Sequence, residues 1–156
     1  MTPAIEAIQK ARVEYTLHPY EHDPGSRSYG LEAAEKLGVP AALVYKTLVV
    51  RCQPDGLAVA VVPVSCQLDL KRFAAARGVK KAAMADTAEL TRATGYIPGG
   101  VSPLGQKRRL PVVIDRSVEA HERVYISAGK RGLDVSLRPA DLIRLVSAEL
   151  GEIAAV

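Results

Sequence analysis

Apolar residues recur along this chain with two periods, and the switches between them divide it into elements. Ile5 and Ile8 form a helical stripe behind Thr2, a capping residue, and Pro3, a first-turn proline, so a helix opens the chain. Val13, Tyr15 and Leu17 then alternate with polar residues, which predicts a short strand that the segment HPYEHDPG breaks. A second helix near Tyr29 to Leu37 stops at Gly38, a left-handed C-cap position. YKTLVV and LAVAVVPV, separated by QPDG, read as a β-hairpin. LDLKRFAAARG is amphipathic at helical spacing, with Leu70, Phe73 and Ala74 inward and Lys71, Arg72 and Arg77 outward. KKAAM predicts a short strand, and Asp86 followed by Glu89 forms a capping-box pattern that opens a helix ending at Gly95. LPVVID, RVYIS and LDVSL are three further strands. Pro139 opens a last helix running through Leu142, Ile143, Leu145, Val146 and Leu150. Strands and helices interleave, yet the hairpin connections demand antiparallel neighbours. The expected fold class is therefore α+β, a single domain over 1–156 with a mixed, mostly antiparallel sheet and surrounding helices.

Composition narrows this picture. A chain of 156 residues fits one domain, which buries roughly 70% of its unfolded surface. With six Tyr, one Phe and no Trp, the core must be aliphatic, and a stacking groove for single-stranded nucleic acid is disfavoured. The net charge of +4 favours an anionic partner without establishing one. Cys52 and Cys66 form no disulfide framework, MTPAIEAIQKARVEY lacks the pattern of a signal peptide, and no apolar run reaches spanning length. A cytoplasmic protein with no membrane partner is expected.

Candidate chemistry concentrates in a few places. TGYIPGGVSPLGQKRRLP, residues 94–111, is stiff with glycine and proline and runs into Lys107, Arg108 and Arg109. It has neither a P-loop ending nor GxGxxG, so nucleotide loops of those types are excluded. Its backbone N–H groups around Gly99 and Gly100, fixed by Pro98 and Pro103, could hold a carbonyl oxygen or an oxyanion. A tight turn that needs glycine dihedrals explains the same residues, and turns are the commoner use of Gly and Pro. His18 and His22 have a zinc-like spacing, but Pro19 and Pro24 bracket them and only His121 remains as a further imidazole. Cys66 could gain acidity from a following helix N-terminus, although a small buried hydrophobe suits it better. Lys46 shares a strand face with Leu48 and Val50, where it either snorkels to solvent or lines a pocket. In YISAGKRGLD, Ser127 and Asp134 flank a basic, glycine-bordered turn holding Lys130 and Arg131.

Taken in order, YEHDP, VYKTL, GYIPGGVSPLGQKRRLP and SAGKRGLD resemble the YbaK/EbsC family across nearly the whole chain. That family is related to the editing domain inserted in many bacterial prolyl-tRNA synthetases, and the chain is most similar to its freestanding Cys-tRNA(Pro) deacylases. The resemblance implies a partly barrel-like sheet and a trans-acting hydrolase of mischarged tRNA. Its substrate would be aminoacylated tRNA(Pro) and its partner prolyl-tRNA synthetase, with no DNA, cofactor or metal. Such an enzyme is required because a small apolar pocket discriminates poorly by size. The resemblance makes Lys46 the essential lysine, positioning the terminal adenosine's phosphate or the ester. It lays the Gly99 to Pro103 loop, with Gly100 and Ser102, against the aminoacyl group. Tyr20, Ser127 and Asp134 fall on pocket positions, Tyr29 on an aromatic wall, and Thr47 follows the lysine. In the cysteine-specific members the substrate's own thiol attacks its ester, so the protein supplies orientation rather than a nucleophile. Deacylation of Ala- or Ser-charged tRNA, or a non-catalytic tRNA- or synthetase-binding role, are the alternatives. Charge alone nominates Lys107, Arg108, Arg109, Lys130 and Arg131 for tRNA phosphates.

Overall fold

The structure, a computed structural model, describes residues 1–156. Helix α1 spans Pro3–Ala11, capped by the Thr2 hydroxyl, which accepts from the Ile5 N–H. Strand β1 follows at Thr16–Pro19, and α2 at Tyr29–Leu37 ends on Gly38 with φ +68°. The hairpin forms as β2, Tyr45–Gln53, and β3, Gly56–Pro63. Next come β4 (Gln67–Leu68), α3 (Leu70–Arg77), β5 (Lys81–Met84) and α4 (Thr87–Thr94). In α4 the Asp86 and Glu89 side chains cap each other's backbone N–H groups, the reciprocal box that the sequence spacing predicts. The chain closes with β6 (Val112–Asp115), β7 (Val124–Lys130), β8 (Leu133–Leu137), α5 (Pro139–Val146), β9 (Glu149–Gly151) and β10 (Ala154–Ala155).

Three sheets result, and none closes on itself. The largest has the order β5-β2-β3-β6-β9, a second is β1-β8-β7, and β10 pairs with β4. Pairing is antiparallel except for β3 with β6 and β6 with β9, which run parallel. A single bridge between Val44 and Tyr125 joins the two larger sheets.

Strand β3 sits at the centre of the large sheet and is buried on both faces, which explains its unbroken apolar run. Val59 and Val61 face the main core, together with Ile5, Ile8, Ile114, Ile126 and Leu142. Ala58, Ala60 and Val62 face the opposite side, packed with Phe73 of α3, Val113 and Ile153. The same alternation in β2 puts Tyr45 and Val49 on the main-core face and Val50 on the α3 face. Lys46 and Leu48 share the Val50 face but lie at the strand's start, beside a third small cluster of Ala33, Ala34, Val44 and Val64. That register sets Lys46 at the edge of a core rather than within one.

Two expectations fail locally. The helical stripe of α5 does not reach Leu150: the helix stops at Val146 because Ser147 turns left-handed at φ 51°, and Leu150 joins β9 beside Ile114. Val13 and Tyr15 precede β1 instead of belonging to it, because its pairing with β8 begins at Thr16 opposite Ser136.

Candidate functional site

A cleft of about 410 Å³ opens where the start of β2 meets the start of α2, the loop after α4 and the β7–β8 hairpin. Lys46 and Thr47 enter it from β2, and Gly99 from the loop. Ser127 and Asp134 occupy partnered positions on β7 and β8, so strand pairing alone brings them together. Tyr20 and Tyr29 come from either end of the segment joining β1 to α2. Seven of the sequence-nominated residues, from five separate segments, thus share one cavity.

Its electrostatics are unusual for a surface cleft. No ion pair involves Lys46, and burial pulls its ammonium below the usual lysine range, partly offset by nearby Cys66. Asp134, the lining's one carboxyl, is 5% exposed, and burial pushes its pKa up to about 7. Burial, then the neighbouring Asp134, push the Tyr20 hydroxyl up to about 12. The Thr47 hydroxyl is buried with no partner in the protein. These groups are held partly desolvated, and the Thr47 hydroxyl is unsatisfied, so a polar ligand gains by meeting them.

The walls are fixed from behind. Tyr20 donates its N–H to the Gly132 carbonyl at 2.9 Å. Glu32 on α2 holds the following loop through His22 Nδ1 at 2.6 Å and the Asp23 N–H at 2.8 Å. Burial opposes the Glu32 charge, but these hydrogen bonds prevail and keep its carboxyl below the usual range. His18 meets Ser136 Oγ at 2.8 Å, so the two histidines of the zinc-like spacing serve different elements. Cys66 lies in the turn before β4, and α3 begins only after β4 on its own cap, Asp69; the thiol is not at that helix's N-terminus.

Of the glycines in the loop after α4, Gly99 alone lines the cleft, between Pro98 and Val101, which line it too. Its φ is +85°, and a Cβ there would lie 2.6 Å from Tyr29 Cδ1. The Gly100 N–H is spent on the Ile97 carbonyl at 2.9 Å, so it offers no donor to a ligand. Gly100 instead lets the hairpin approach, since its Cβ would sit 2.9 Å from the Lys130 Cα. Ser102 is fully buried, its hydroxyl accepting from the Leu104 N–H at 3.2 Å and its carbonyl from Gln106 at 3.0 Å. Pro103 lines a separate cavity with Arg108 and Arg109.

The five nominated cations divide likewise. Arg108 and Arg109 border that second cavity near α5, where Arg109 donates to Ser147 Oγ at 2.8 Å, and the Lys107 N–H is tied to Thr94 at the end of α4. Lys130 and Arg131 stand at the cleft's hairpin, where Arg131 bonds to Pro98 and Tyr29. Among the lining residues that sequence reasoning missed are Arg27, Leu31, Leu48, Gln67 and Leu90. Leu48 was findable, two positions after Lys46 on the same strand face; Arg27 and Gln67 carry no sequence signal.

Comparison with known proteins places these features. The chain is 34% identical over 152 residues to EbsC of Enterococcus faecalis, covering 97% of this chain and 92% of that protein; EbsC is provisionally named a Cys-tRNA(Pro)/Cys-tRNA(Cys) deacylase. It is 30% identical over 111 residues to YwhH of Bacillus subtilis, a protein without characterised function, covering 71% of this chain and 70% of that one. Among solved structures, the hypothetical protein APE2540 superposes with a TM-score of 0.88 at 24% identity, covering 99% of this chain and all of that one. A provisionally named trans-editing enzyme for prolyl tRNA synthetase superposes at 0.82 with 22% identity, covering 100% of this chain and 99% of that one. Both share the fold. Residues 24–145 match the aminoacyl-tRNA editing domain and hold every lining residue of the cleft but Tyr20. With a relative so similar along nearly its full length, the chain belongs to the aminoacyl-tRNA editing domain family.

Proposed function

We propose that residues 1–156 act as one deacylase domain that removes cysteine from mischarged Cys-tRNA(Pro) and works with prolyl-tRNA synthetase. The observation that carries this reading is a cleft with an unpaired lysine, one near-neutral carboxyl and no histidine or cysteine in its lining. Such a site has no Ser–His or Cys–His pair and suits a substrate that brings its nucleophile. The cysteinyl thiol attacks its own ester carbonyl. The S–C bond forms, the ester C–O bond breaks, and the products are a cyclic thiolactone and free tRNA.

Each residue then has a physical task. Lys46 holds the phosphate or ester oxygen of the terminal adenosine, an interaction strengthened by partial burial. The Gly99 N–H, left free by the turn that consumes the Gly100 N–H, faces the carbonyl where negative charge develops. Asp134, with its pKa about 7, takes the thiol proton and returns it to the leaving ribose oxygen; Tyr20 and Ser127 orient it. Tyr29 and Thr47 bound the aminoacyl group.

The test is ester loss from tRNA(Pro) charged separately with Cys, Ala, Ser and Pro. Fast loss of cysteine alone supports the proposal, with the thiolactone detectable by mass. Loss of Ala or Ser without Cys moves the chain to another amino acid, and no loss from any charge state leaves a binding module.

A further inference from the structure

Three segments that are distant in sequence meet along one wall of the cleft. The first turn of α2 at Tyr29 and the loop at Pro98 and Gly99 line it, and the β7–β8 turn at Lys130 to Gly132 packs against that loop at Gly100. They meet without slack. The Tyr29 ring covers Gly99 so closely that a Cβ there would come within 2.6 to 2.8 Å of three ring carbons. At Gly100 a Cβ would lie 2.9 Å from the Lys130 Cα and 3.1 Å from the Arg131 nitrogen.

Arg131 ties all three. Its Nε donates to the Pro98 carbonyl at 2.8 Å and a terminal nitrogen donates to the Tyr29 hydroxyl at 3.3 Å. Its guanidinium carbon lies 5.0 Å from the Tyr29 ring centroid, within cation–π range. No carboxylate pairs with it. Every recorded partner is a neutral atom of the wall itself, reached by the planar fork that distinguishes arginine from lysine. Though exposed, its guanidinium lies back across its neighbours instead of standing free of them.

We infer that Arg131 is a positioning residue that sets the width of the aminoacyl pocket by locking Tyr29 and Pro98–Gly99 together, and so governs discrimination among amino acids. The inference rests on the deacylase reading for its substrate, but the wall can be examined without activity. Losing the lock lets the Tyr29 ring and Gly99 separate, admitting larger aminoacyl groups and blurring the alignment of the correct one.

The experiment compares wild type, Arg131→Lys and Arg131→Ala by two independent readouts. The first is 15N relaxation of the Gly99 and Gly100 amides in the free protein, which needs no substrate. Both variants are expected to show increased motion there, with melting otherwise little changed because the side chain is exposed. The second is the ratio of kcat/KM for tRNA(Pro) charged with cysteine over tRNA(Pro) charged with homocysteine, a thiol one methylene longer, measured across salt concentrations. Both variants are expected to change that ratio about tenfold, the scale of a methylene-sized pocket change, while the salt dependence stays that of wild type. Full restoration by lysine of rigidity and ratio overturns the inference. So does a ratio that holds in alanine while the salt slope drops by about one, the mark of a phosphate contact. If the wild type cleaves no ester, the deacylase reading fails, and unchanged relaxation in both variants would still overturn the lock.

Discussion

Replacing Asp134 by asparagine should separate what this carboxyl does for catalysis from what it costs the fold. The group is buried, and its pKa is raised from 3.8 to about 7 in the folded chain. A raised folded pKa means that the folded state binds the proton more tightly than the unfolded state. Stability is therefore fully present below pH ~4 and is lost as pH rises through ~7. The displacement of roughly three units corresponds to about 4 kcal/mol, accumulating at about 1.4 kcal/mol per pH unit between those limits. Asparagine keeps the shape and cannot ionise. Urea unfolding of both proteins at pH 5, 6, 7 and 8 should show the variant gaining on wild type steadily up to pH ~7, then by a constant margin. Activity should move the opposite way. Wild-type deacylation should rise through pH ~7 as the carboxylate appears, and the variant's rate should be low and flat over the same range. A stability gap independent of pH would refute the claim that Asp134 is desolvated. A variant with the wild-type pH–rate profile would refute its role as proton carrier.

Three further substitutions probe the same architecture. Lys46→Ala should abolish deacylation while unfolding free energy holds within about 0.5 kcal/mol, since Lys46 has no ion pair to lose; a normal rate would show that the site lies elsewhere. Gly99→Ala meets both a left-handed backbone and the Tyr29 ring, so it should cost about 1–3 kcal/mol and lower kcat/KM together with the melting temperature. Gly30→Ala places a Cβ 2.2 Å from Val64 Cγ1; a loss of about 1–3 kcal/mol should be largely relieved in the double variant with Val64→Ala, a coupling measured by a double-mutant cycle.

What was legible in the sequence was what a few neighbouring residues decide. Asp86 and Glu89 fix the start of α4 by a local hydrogen-bond exchange, and Gly38 and Gly95 end helices by their own dihedrals. The hairpin β2–β3 announces itself because its turn and both its strands are contiguous. Structure that depends on remote partners was not legible. Strand β9 exists only because Glu149 to Gly151 find β6, and β10 only because Ala154 and Ala155 find β4. The Asp115 carboxylate helps by accepting the Ile153 and Ala154 N–H groups, both at 3.0 Å. The same holds at the cleft. The motifs nominated Lys46, Asp134 and Gly99, yet nothing local distinguished Gly99, whose N–H is left free, from Gly100, whose N–H closes a turn on Ile97. Nor could charge counting tell Arg131, engaged with the cleft wall, from Arg109, engaged with Ser147 near α5.

The scarcity of aromatic residues has a practical side. The chain has no tryptophan, and three of its six tyrosines, Tyr20, Tyr29 and Tyr45, line the cleft. Half of the protein's tyrosine fluorophores therefore stand around the pocket, with no indole signal to mask them. A small aminoacyl ester carrying no nucleobase would report its own arrival by perturbing those rings, so occupancy could be titrated on the unlabelled, unmutated protein before any tRNA is charged.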